Sequence, residues 1–444
     1  MVLGVLSWLL VLAVAPFVVA LLVVCLREPM RVTLPIFAAL IPFGGALSVG
    51  PSRFGSVSSL IGLVLAVGLV LQLIATRRSA RTLSSSVPAW LLFFGVACAS
   101  TLWTIDRSST INGLIVLGGL ILVYVFTAMS YVDRTVLRRT ENGLLVGGVT
   151  VVIYGLYQLV FLGGFPDDAT GAATASDGRF GNDLLGPGLQ AVSLLLPFCV
   201  ALSRAFSESG RLRIVNAAIG VLMFWGILMT GSRTGTLAMA VVLATLAWSG
   251  PRQARRGLMV CLAAGIAVAA LVWVLQPAGV ASRSYESATS SSGRTDIWQV
   301  GFAACSEYCA FGSGWGTYPQ VYAETQASVP SARVLVGDQG TYQPHNLWLL
   351  AIVELGLAGF ILLTLGLGLS MVEALRLPRS LRGPPLSAVA GLTFAVFFLS
   401  SMEFKFFWMV LIVVVLYRNL NQAEERAEVE KSIDRIGGLT PPPR

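Results

Sequence analysis

Four residues of this 444-residue chain have the types and settings that proton and anion chemistry require. His345 is the only histidine, and it stands between Pro344 and a long apolar run. An imidazole with an ordinary pKa of about 6.5 can accept a proton near neutral pH. The others are Arg179, Arg233 and Arg294, and a guanidinium binds phosphate oxygens through paired hydrogen bonds. Together they predict a base beside a bound phosphate-type anion, although a lone histidine is usually structural.

Arg233 lies in the run Gly231-Ser232-Arg233-Thr234-Gly235, where one apolar segment ends and the next begins. Ser232 and Thr234 are residue types that cap helix N-termini, and a helix N-terminus attracts anions. The run therefore predicts an anion site to which Ser232 and Arg233 contribute. The alternative is an ordinary interfacial arginine that reaches toward lipid headgroups.

Arg294 precedes a predicted short helix over residues 295–310, and Trp298 follows it by about one helical turn. Two arginines at helix starts suit a diphosphate, while Asp296 offers Arg294 a carboxylate partner instead. Trp298 is suited either to stacking on a sugar ring or to anchoring at the membrane interface.

Other polar positions carry weaker signals. Glu354 is the one carboxylate well inside a predicted span, and we expect it to hydrogen-bond a neighbouring helix. Asp167 and Asp168 could hold a divalent ion but are typical of a solvated turn. Cys305 and Cys309 are either a disulfide or two buried thiols. The sequence contains no Ser-His-Asp arrangement, no phosphate-binding glycine loop and no zinc-ligand spacing.

The elements that position these residues are membrane helices. The chain is 55% hydrophobic and 12% charged, with a mean hydropathy of +0.79, which excludes an ordinary soluble protein and predicts an all-α polytopic membrane protein. The net charge of +8 reflects basic loops between apolar runs, so nucleic-acid binding is not expected.

Apolar runs of about 17 to 25 residues can cross a bilayer as helices. The sequence has about 12–13 of them, and the thirteen predicted spans are 3–26, 32–50, 57–75, 88–104, 109–130, 143–163, 186–203, 213–230, 234–249, 257–276, 345–371, 385–401 and 404–420.

The distribution of arginine predicts which side each loop occupies. Most of the 30 Lys and Arg residues fall in one set of alternating loops, which the positive-inside rule makes cytoplasmic. Loops 164–187 and 277–344 are then extracytoplasmic, with the three arginines and His345 on that face. Residues 1–420 form the transmembrane domain, and 421–444 form a cytoplasmic tail that begins as a short helix and frays into disorder. Thirteen spans place the N-terminus outside, whereas losing one terminal span would place it inside.

Four motifs follow one another along the chain. They are the run around Arg233, Gly293-Arg294 with Trp298, Gly312-Ser313-Gly314-Trp315-Gly316, and His345-Asn346 followed by Glu354-Leu355-Gly356 and Gly359. Over about residues 140–400, this order resembles the O-antigen ligase and O-antigen polymerase superfamily of bacterial envelopes.

The resemblance implies a glycosyltransferase of the C type on the extracytoplasmic face of the bacterial cytoplasmic (inner) membrane, independent of metals and other cofactors. Its donor is a glycan on a polyprenyl diphosphate lipid, and its acceptor is a glycan or a lipid-linked glycan. His345 matches the family's loop histidine, and Arg233 and Arg294 match its two diphosphate-contacting arginines. The further substrate-binding positions are Arg179, Ser232, Asn346 and Trp298. Membrane lipid and a chain-length regulator or flippase are the other expected partners.

Two rival functions use the same features differently. A secondary transporter of a small or anionic solute would also have many spans, but transporters usually place ionisable residues at mid-membrane in two related halves. A protein O-oligosaccharyltransferase would share the donor and use a protein hydroxyl as the acceptor. The sequence favours a polysaccharide polymerase or ligase, because the polar residues crowd the outer mouth and no soluble domain marks a protein acceptor.

Overall fold

The computed structural model describes residues 2–44, 47, 56–76, 82–165, 179–181, 185–250, 255–260, 263, 265, 267, 294–332 and 342–437. Throughout that part of the chain the regular structure is helical, with no β-strand, which confirms the predicted fold class. Most of the predicted span 257–276, most of loop 164–187, and residues 277–293 and 333–341 of loop 277–344 lie outside the described residues.

The α-helices follow the apolar runs closely. In chain order they are α1 (Val2–Arg27), α2 (Leu34–Leu40), α3 (Val57–Thr76), α4 (Val87–Ala99), α5 (Arg107–Met129), α6 (Arg134–Phe161), α7 (Pro187–Ser193), α8 (Leu195–Ser207), α9 (Gly210–Met229), α10 (Arg233–Ser249), α11 (Arg294–Tyr308), α12 (Tyr318–Thr325), α13 (Leu347–Arg376), α14 (Arg379–Ala395) and α15 (Lys405–Gly437).

Among the described residues, seven helices are long and apolar enough to cross a membrane. They are Val57–Ala75, Arg107–Met129, Arg134–Phe161, Pro187–Ser207, Gly210–Met229, Leu347–Arg376 and Lys405–Glu430. Shorter apolar helices occupy three more predicted spans, at Ala15–Arg27, Pro29–Phe43 and Val87–Leu102. Helices α10 and α14 coincide with the predicted spans 234–249 and 385–401 but have only 17 residues each. The chain is therefore a multi-pass membrane protein with several short helices among its spans.

The predicted span 32–50 differs most from the structure. A π-helical turn (Pro29–Thr33), α2 and a 3-10 turn (Ile41–Phe43) follow one another, and Gly44 then turns the backbone with a φ of 51°. Fifteen residues are too few for a full crossing, which needs about 20. Proline is the reason for the irregularity, because it removes backbone donors at Pro29, Pro35 and Pro42.

The two ends of the helix bundle are chemically different. At one end, which we call the arginine-rich end, side chains of residues 27–31, 82–86, 133–142, 204–208 and 418–424 meet in ion pairs and hydrogen bonds. The opposite end, the histidine end, holds residues 100–106, 179–181, 185–191, 230–235, 294–298, 312–318 and 344–347. Helix α15 extends from the membrane domain to Gly437, beyond the short helical start predicted for residues 421–444, and residues 438–444 lie outside the described part.

Candidate active site

His345 occupies an unusual backbone position at the histidine end. Its φ is 47°, and it is the only non-glycine residue with a positive φ in the described part of the chain. Such a conformation is costly for a residue with a Cβ, so the surroundings must hold it. The imidazole is half-buried, directly before α13. A strained, partly enclosed histidine is consistent with the predicted role in chemistry.

Hydrogen bonds hold the backbone on both sides of His345. Upstream, the Trp298 indole Nε1–H donates to the Pro344 carbonyl at 2.7 Å. Downstream, the Asn346 Oδ1 caps α13 by accepting from the backbone N–H groups of Trp348 and Leu349 at 3.0 and 3.1 Å. Asn346 and Trp298, both predicted to bind substrate, thus each have a structural hydrogen bond that sequence reasoning missed.

The electrostatic surroundings keep His345 neutral. Burial, followed by the positive charge of Arg294, lowers the pKa of His345 to about 4. The helix that begins with Arg294 also hydrogen-bonds the residue before His345 through Trp298, so the structure brings Arg294 and His345 near each other although 50 residues separate them in sequence. Helix α11 begins at Arg294, one residue before the predicted start. A neutral imidazole next to a guanidinium can accept a proton while the guanidinium holds an anion.

Arg233 is the first residue of α10, and the predicted capping by Ser232 is confirmed. The Ser232 Oγ accepts a hydrogen bond from the Gly235 backbone N–H at 3.1 Å. The Arg233 side chain is exposed, and within the described residues it makes no hydrogen bond or ion pair. A free guanidinium at a capped helix N-terminus is available to bind an anion.

Arg179 lies against the turn that precedes Arg233. Its Nε and Nη2 groups both donate to the carbonyl oxygen of Thr230, at 2.9 and 2.6 Å. A Cβ added at Gly231 would lie 3.4 Å from the Arg179 Nε, so the guanidinium covers this turn. The structure therefore brings Arg179 and Arg233 together, and Arg179 stabilises the end of α9 through these bonds.

The two arginine groups are linked by a short series of packing contacts. A Cβ added at Gly235 would lie 2.3 Å from the Ala191 Cβ, which places α10 against α7. A Cβ added at Gly188 of α7 would lie 3.3 Å from Leu399. The segment before Leu399 reaches the start of α13, where the Leu347 N–H donates to the Val396 carbonyl at 2.9 Å. The two groups thus share one end of the bundle.

A glycine-rich loop, 312–316, inserts into a break in α13, which sequence reasoning did not predict. Gly356 has a φ of 66° and interrupts the helix. The Ser313 and Gly314 N–H groups donate to the carbonyls of Val353 and Glu354, each at 2.9 Å. Irregular backbone at membrane depth requires such partners. A side chain at Gly312 would meet the Glu354 carbonyl at 2.3 Å, so this loop requires glycine.

Glu354 stabilises the same loop through its carboxylate. The Oε2 atom accepts from the Gly316 N–H at 2.9 Å, and the Oε1 atom accepts from the Tyr318 N–H at 3.0 Å. Tyr318 is the first residue of α12, so the carboxylate caps a neighbouring helix, as expected. This contact ties α13, which follows His345, to α12.

Metal and redox features are limited in the described residues. No group of three or more His, Cys, Asp or Glu side chains that could hold a metal occurs there, and Asp167 and Asp168 lie outside that part of the chain. Cys305 and Cys309 form a disulfide at the end of α11, with their Cα atoms 4.4 Å apart. The residue pair spans the last turn, where the helix ends at Tyr308.

The fold and site define a multi-pass, all-α membrane protein with a histidine–arginine site at one end. Residues 218–364 match the family model described as O-antigen ligase, a range that includes Arg233, Arg294 and His345. The chain is also 27% identical over 324 residues to the exopolysaccharide production protein ExoQ of Rhizobium meliloti (strain 1021), covering 71% of this chain and 70% of that protein.

Both findings support placing the chain in the O-antigen ligase and polymerase superfamily, as the motifs predicted. They also support a polysaccharide-related ligase or polymerase. Arg179 lies before the matched residues.

Proposed function

We propose that this protein is a glycosyltransferase that moves a glycan from a polyprenyl diphosphate donor to an acceptor hydroxyl. The observation that carries the proposal is that the strained His345 lies beside the helix that begins with Arg294, because Trp298 of that helix hydrogen-bonds the Pro344 carbonyl. A proton acceptor and an anion-binding cation are the two groups that displacement of a diphosphate requires. The positive-inside rule places the arginine-rich end in the cytoplasm. We therefore place the reaction, which occurs at the opposite end, on the extracytoplasmic face of the inner membrane.

In the proposed reaction, the acceptor oxygen attacks the anomeric carbon while His345 takes the hydroxyl proton. The bond between that carbon and the diphosphate oxygen breaks, and the lipid diphosphate leaves with the electron pair. Arg294 and Arg233 stabilise the negative charge that develops on the departing oxygens. A single displacement inverts the anomeric configuration. General base catalysis of this kind contributes about a hundredfold or more.

We propose further that the reaction needs no metal ion. The diphosphate is already a good leaving group, and two guanidinium groups supply the positive charge at its oxygens. Activity should therefore persist after treatment with EDTA, and a loss restored by Mg²⁺ would contradict this part of the proposal.

The acceptor is most simply a growing polysaccharide. The similar protein of Rhizobium meliloti has a name that refers to exopolysaccharide production, which favours assembly of a polymer over modification of a protein. Ligation to a lipid-linked core is the closest alternative and would use the same residues.

Mass spectrometry of envelope glycans from a strain without this protein tests the assignment. A polymerase predicts accumulation of single lipid-linked repeat units, whereas a ligase predicts accumulation of full-length lipid-linked polymer. A secondary transporter predicts solute flux in proteoliposomes without any covalent product. Unchanged glycans in the deletion strain, together with such flux, would overturn the proposed function.

A further inference from the structure

The peptide group between Pro344 and His345 determines where the imidazole points. The φ angle of His345 is the rotation about its N–Cα bond, and it sets the orientation of this peptide plane relative to the rest of the residue. A positive φ of 47° is uncommon for any residue with a Cβ, so surrounding contacts are needed to hold this peptide plane. This peptide plane carries two polar groups, the Pro344 carbonyl and the His345 N–H, and a neighbouring side chain can hold the plane through the carbonyl.

Trp298 supplies that hydrogen bond. Its indole Nε1–H donates to the Pro344 carbonyl at 2.7 Å across 46 residues of sequence. The bond fixes the orientation of the peptide plane on the side of His345 opposite the α13 cap. Since Asn346 and the Leu347–Val396 bond hold the other side, His345 is held between two anchored segments.

The helix that carries Trp298 also carries Arg294. The two residues are four positions apart on α11, so their side chains lie on the same face, one turn apart. One turn of α11 therefore carries the proposed diphosphate-binding residue, Arg294, and also contacts the backbone next to the proposed base, His345. The separation between base and leaving group would depend on this turn.

Helix α11 is itself anchored to the part of α13 beyond His345. The Tyr318 hydroxyl donates to the Ile297 carbonyl, next to Trp298, at 3.1 Å. The Tyr318 N–H in turn donates to the Glu354 carboxylate at 3.0 Å. These contacts form a closed series. Helix α13 leads from His345 to Glu354, Glu354 bonds Tyr318, Tyr318 bonds α11, and Trp298 of α11 bonds Pro344.

We propose that Trp298 is a positioning residue, which sets the conformation of His345 relative to Arg294 through its indole N–H. This inference rests on the proposed function. It differs from the predicted roles of Trp298 in sugar stacking or interface anchoring, because both of those depend on the aromatic ring and neither requires the N–H.

The test compares Trp298→Phe with Trp348→Phe in full-length protein reconstituted in proteoliposomes. Trp348 is a matched control, since it lies three residues from His345 and its Nε1–H has no partner among the described residues. Its ring also packs on Phe360 and Phe397, contacts that a phenylalanine retains in part. The donor is the lipid-linked glycan fraction extracted from a strain that lacks this protein, and the readouts are kcat, donor KM and the pH profile.

We expect Trp298→Phe to lower kcat by about 10- to 100-fold, as misplacement of a reacting group by roughly 1 Å does, with donor KM within threefold of wild type. The released imidazole should also titrate closer to its ordinary pKa of about 6.5, so the acid limb of the rate profile should move to higher pH. Trp348→Phe should stay within threefold of wild type in all three quantities. A misfolded fraction would lower kcat without moving the limb.

Equal behaviour of the two variants, or a loss of kcat with an unmoved acid limb, would overturn the inference. If Trp298→Phe does not fold, 3-benzothienylalanine at position 298 keeps the ring shape and replaces N–H by sulfur, and the same two outcomes apply. If wild-type protein transfers no glycan from this donor fraction, the proposed function fails and the inference with it. Active wild type with an unaffected Trp298 variant refutes the positioning role alone.

Discussion

The two ends of the helix bundle use arginine in different ways. At the arginine-rich end, guanidinium groups meet carboxylates, with Arg31 2.8 Å from Asp133 and the Arg204 Nε 2.9 Å from Glu141. At the histidine end, Arg233 is exposed and makes no such contact in the described part of the chain. Arg179 there donates to a backbone carbonyl.

The difference indicates what each set of charges does. Paired arginines join helices to one another and contribute to stability, whereas an arginine without a carboxylate partner keeps its hydrogen-bonding capacity for a ligand. Substitutions at the arginine-rich end should therefore change the free energy of unfolding, and substitutions at the histidine end should change glycan transfer. Four predictions test this division, in order of decreasing effect.

The largest effect is expected from Arg204→Ala. Arg204 is 90% buried, bonds Glu141 and Asn142, and its removal leaves an unpaired carboxylate that Tyr417 also contacts. Breaking such a buried pair costs about 3–5 kcal/mol. Unfolding in detergent should show this loss, while transfer per folded molecule should be unchanged. The double variant Arg204→Leu, Glu141→Leu should recover part of the stability; equal stability of wild type and Arg204→Ala would contradict the division.

Arg233→Ala and Arg294→Ala should weaken donor binding by about 10- to 100-fold, the equivalent of one charged hydrogen-bonding group. The melting temperature should stay close to that of wild type. Lysine at either position should restore little, because one ammonium cannot reproduce the paired bonds of a guanidinium. Donor KM in proteoliposomes measures the effect. A large loss of stability with unchanged KM would assign these residues to the scaffold instead.

The pH profile should show an effect only in acid. Burial and Arg294 lower the pKa of His345 to about 4, so the imidazole is neutral and able to accept a proton at all higher pH values. Transfer should therefore be flat from about pH 8 to pH 5.5 and fall as pH approaches 4. A fall centred near 6.5 would show an unshifted histidine, and a profile rising toward acid would exclude a neutral base.

The smallest effect is expected from Arg134→Ala. Its guanidinium pairs with Glu424 but is 81% exposed, so solvent screens the pair and the loss should be under about 1 kcal/mol. Transfer should be unchanged. This variant also serves as the control for the two arginine substitutions at the histidine end, and a donor-binding defect in it would contradict the division.

Much of the helix layout could be predicted because apolar runs have a length that only membrane helices use. The predicted spans 109–130 and 213–230 correspond to Arg107–Met129 and Gly210–Met229. The short α2 region was not predictable from hydropathy. Three prolines there remove backbone N–H donors, and hydropathy does not take such donors into account. Hydropathy also could not predict the break at Gly356. A glycine within an apolar run is compatible with an unbroken helix, and only the structure shows the segment that inserts there.

The residues of the candidate site could be selected from the sequence, but their contacts could not. His345, Arg294 and Arg233 could be selected from charge, helix starts and motif order. The hydrogen bonds of Trp298 to Pro344 and of Arg179 to Thr230 join segments 46 and 51 residues apart, and no local pattern encodes them. The side chain of Glu354 was expected to find a neighbouring helix, but the inserted loop 312–316 became evident only from the structure.

The most direct test of the central claim is covalent transfer by wild-type and His345→Ala protein in the same proteoliposomes, with the lipid-linked glycan fraction as the donor. Mass spectrometry should detect extended or ligated glycan with wild type and at least about a hundredfold less with His345→Ala. Donor binding should remain within threefold, which shows that the variant is folded. Transfer by His345→Ala at the wild-type rate would contradict the account.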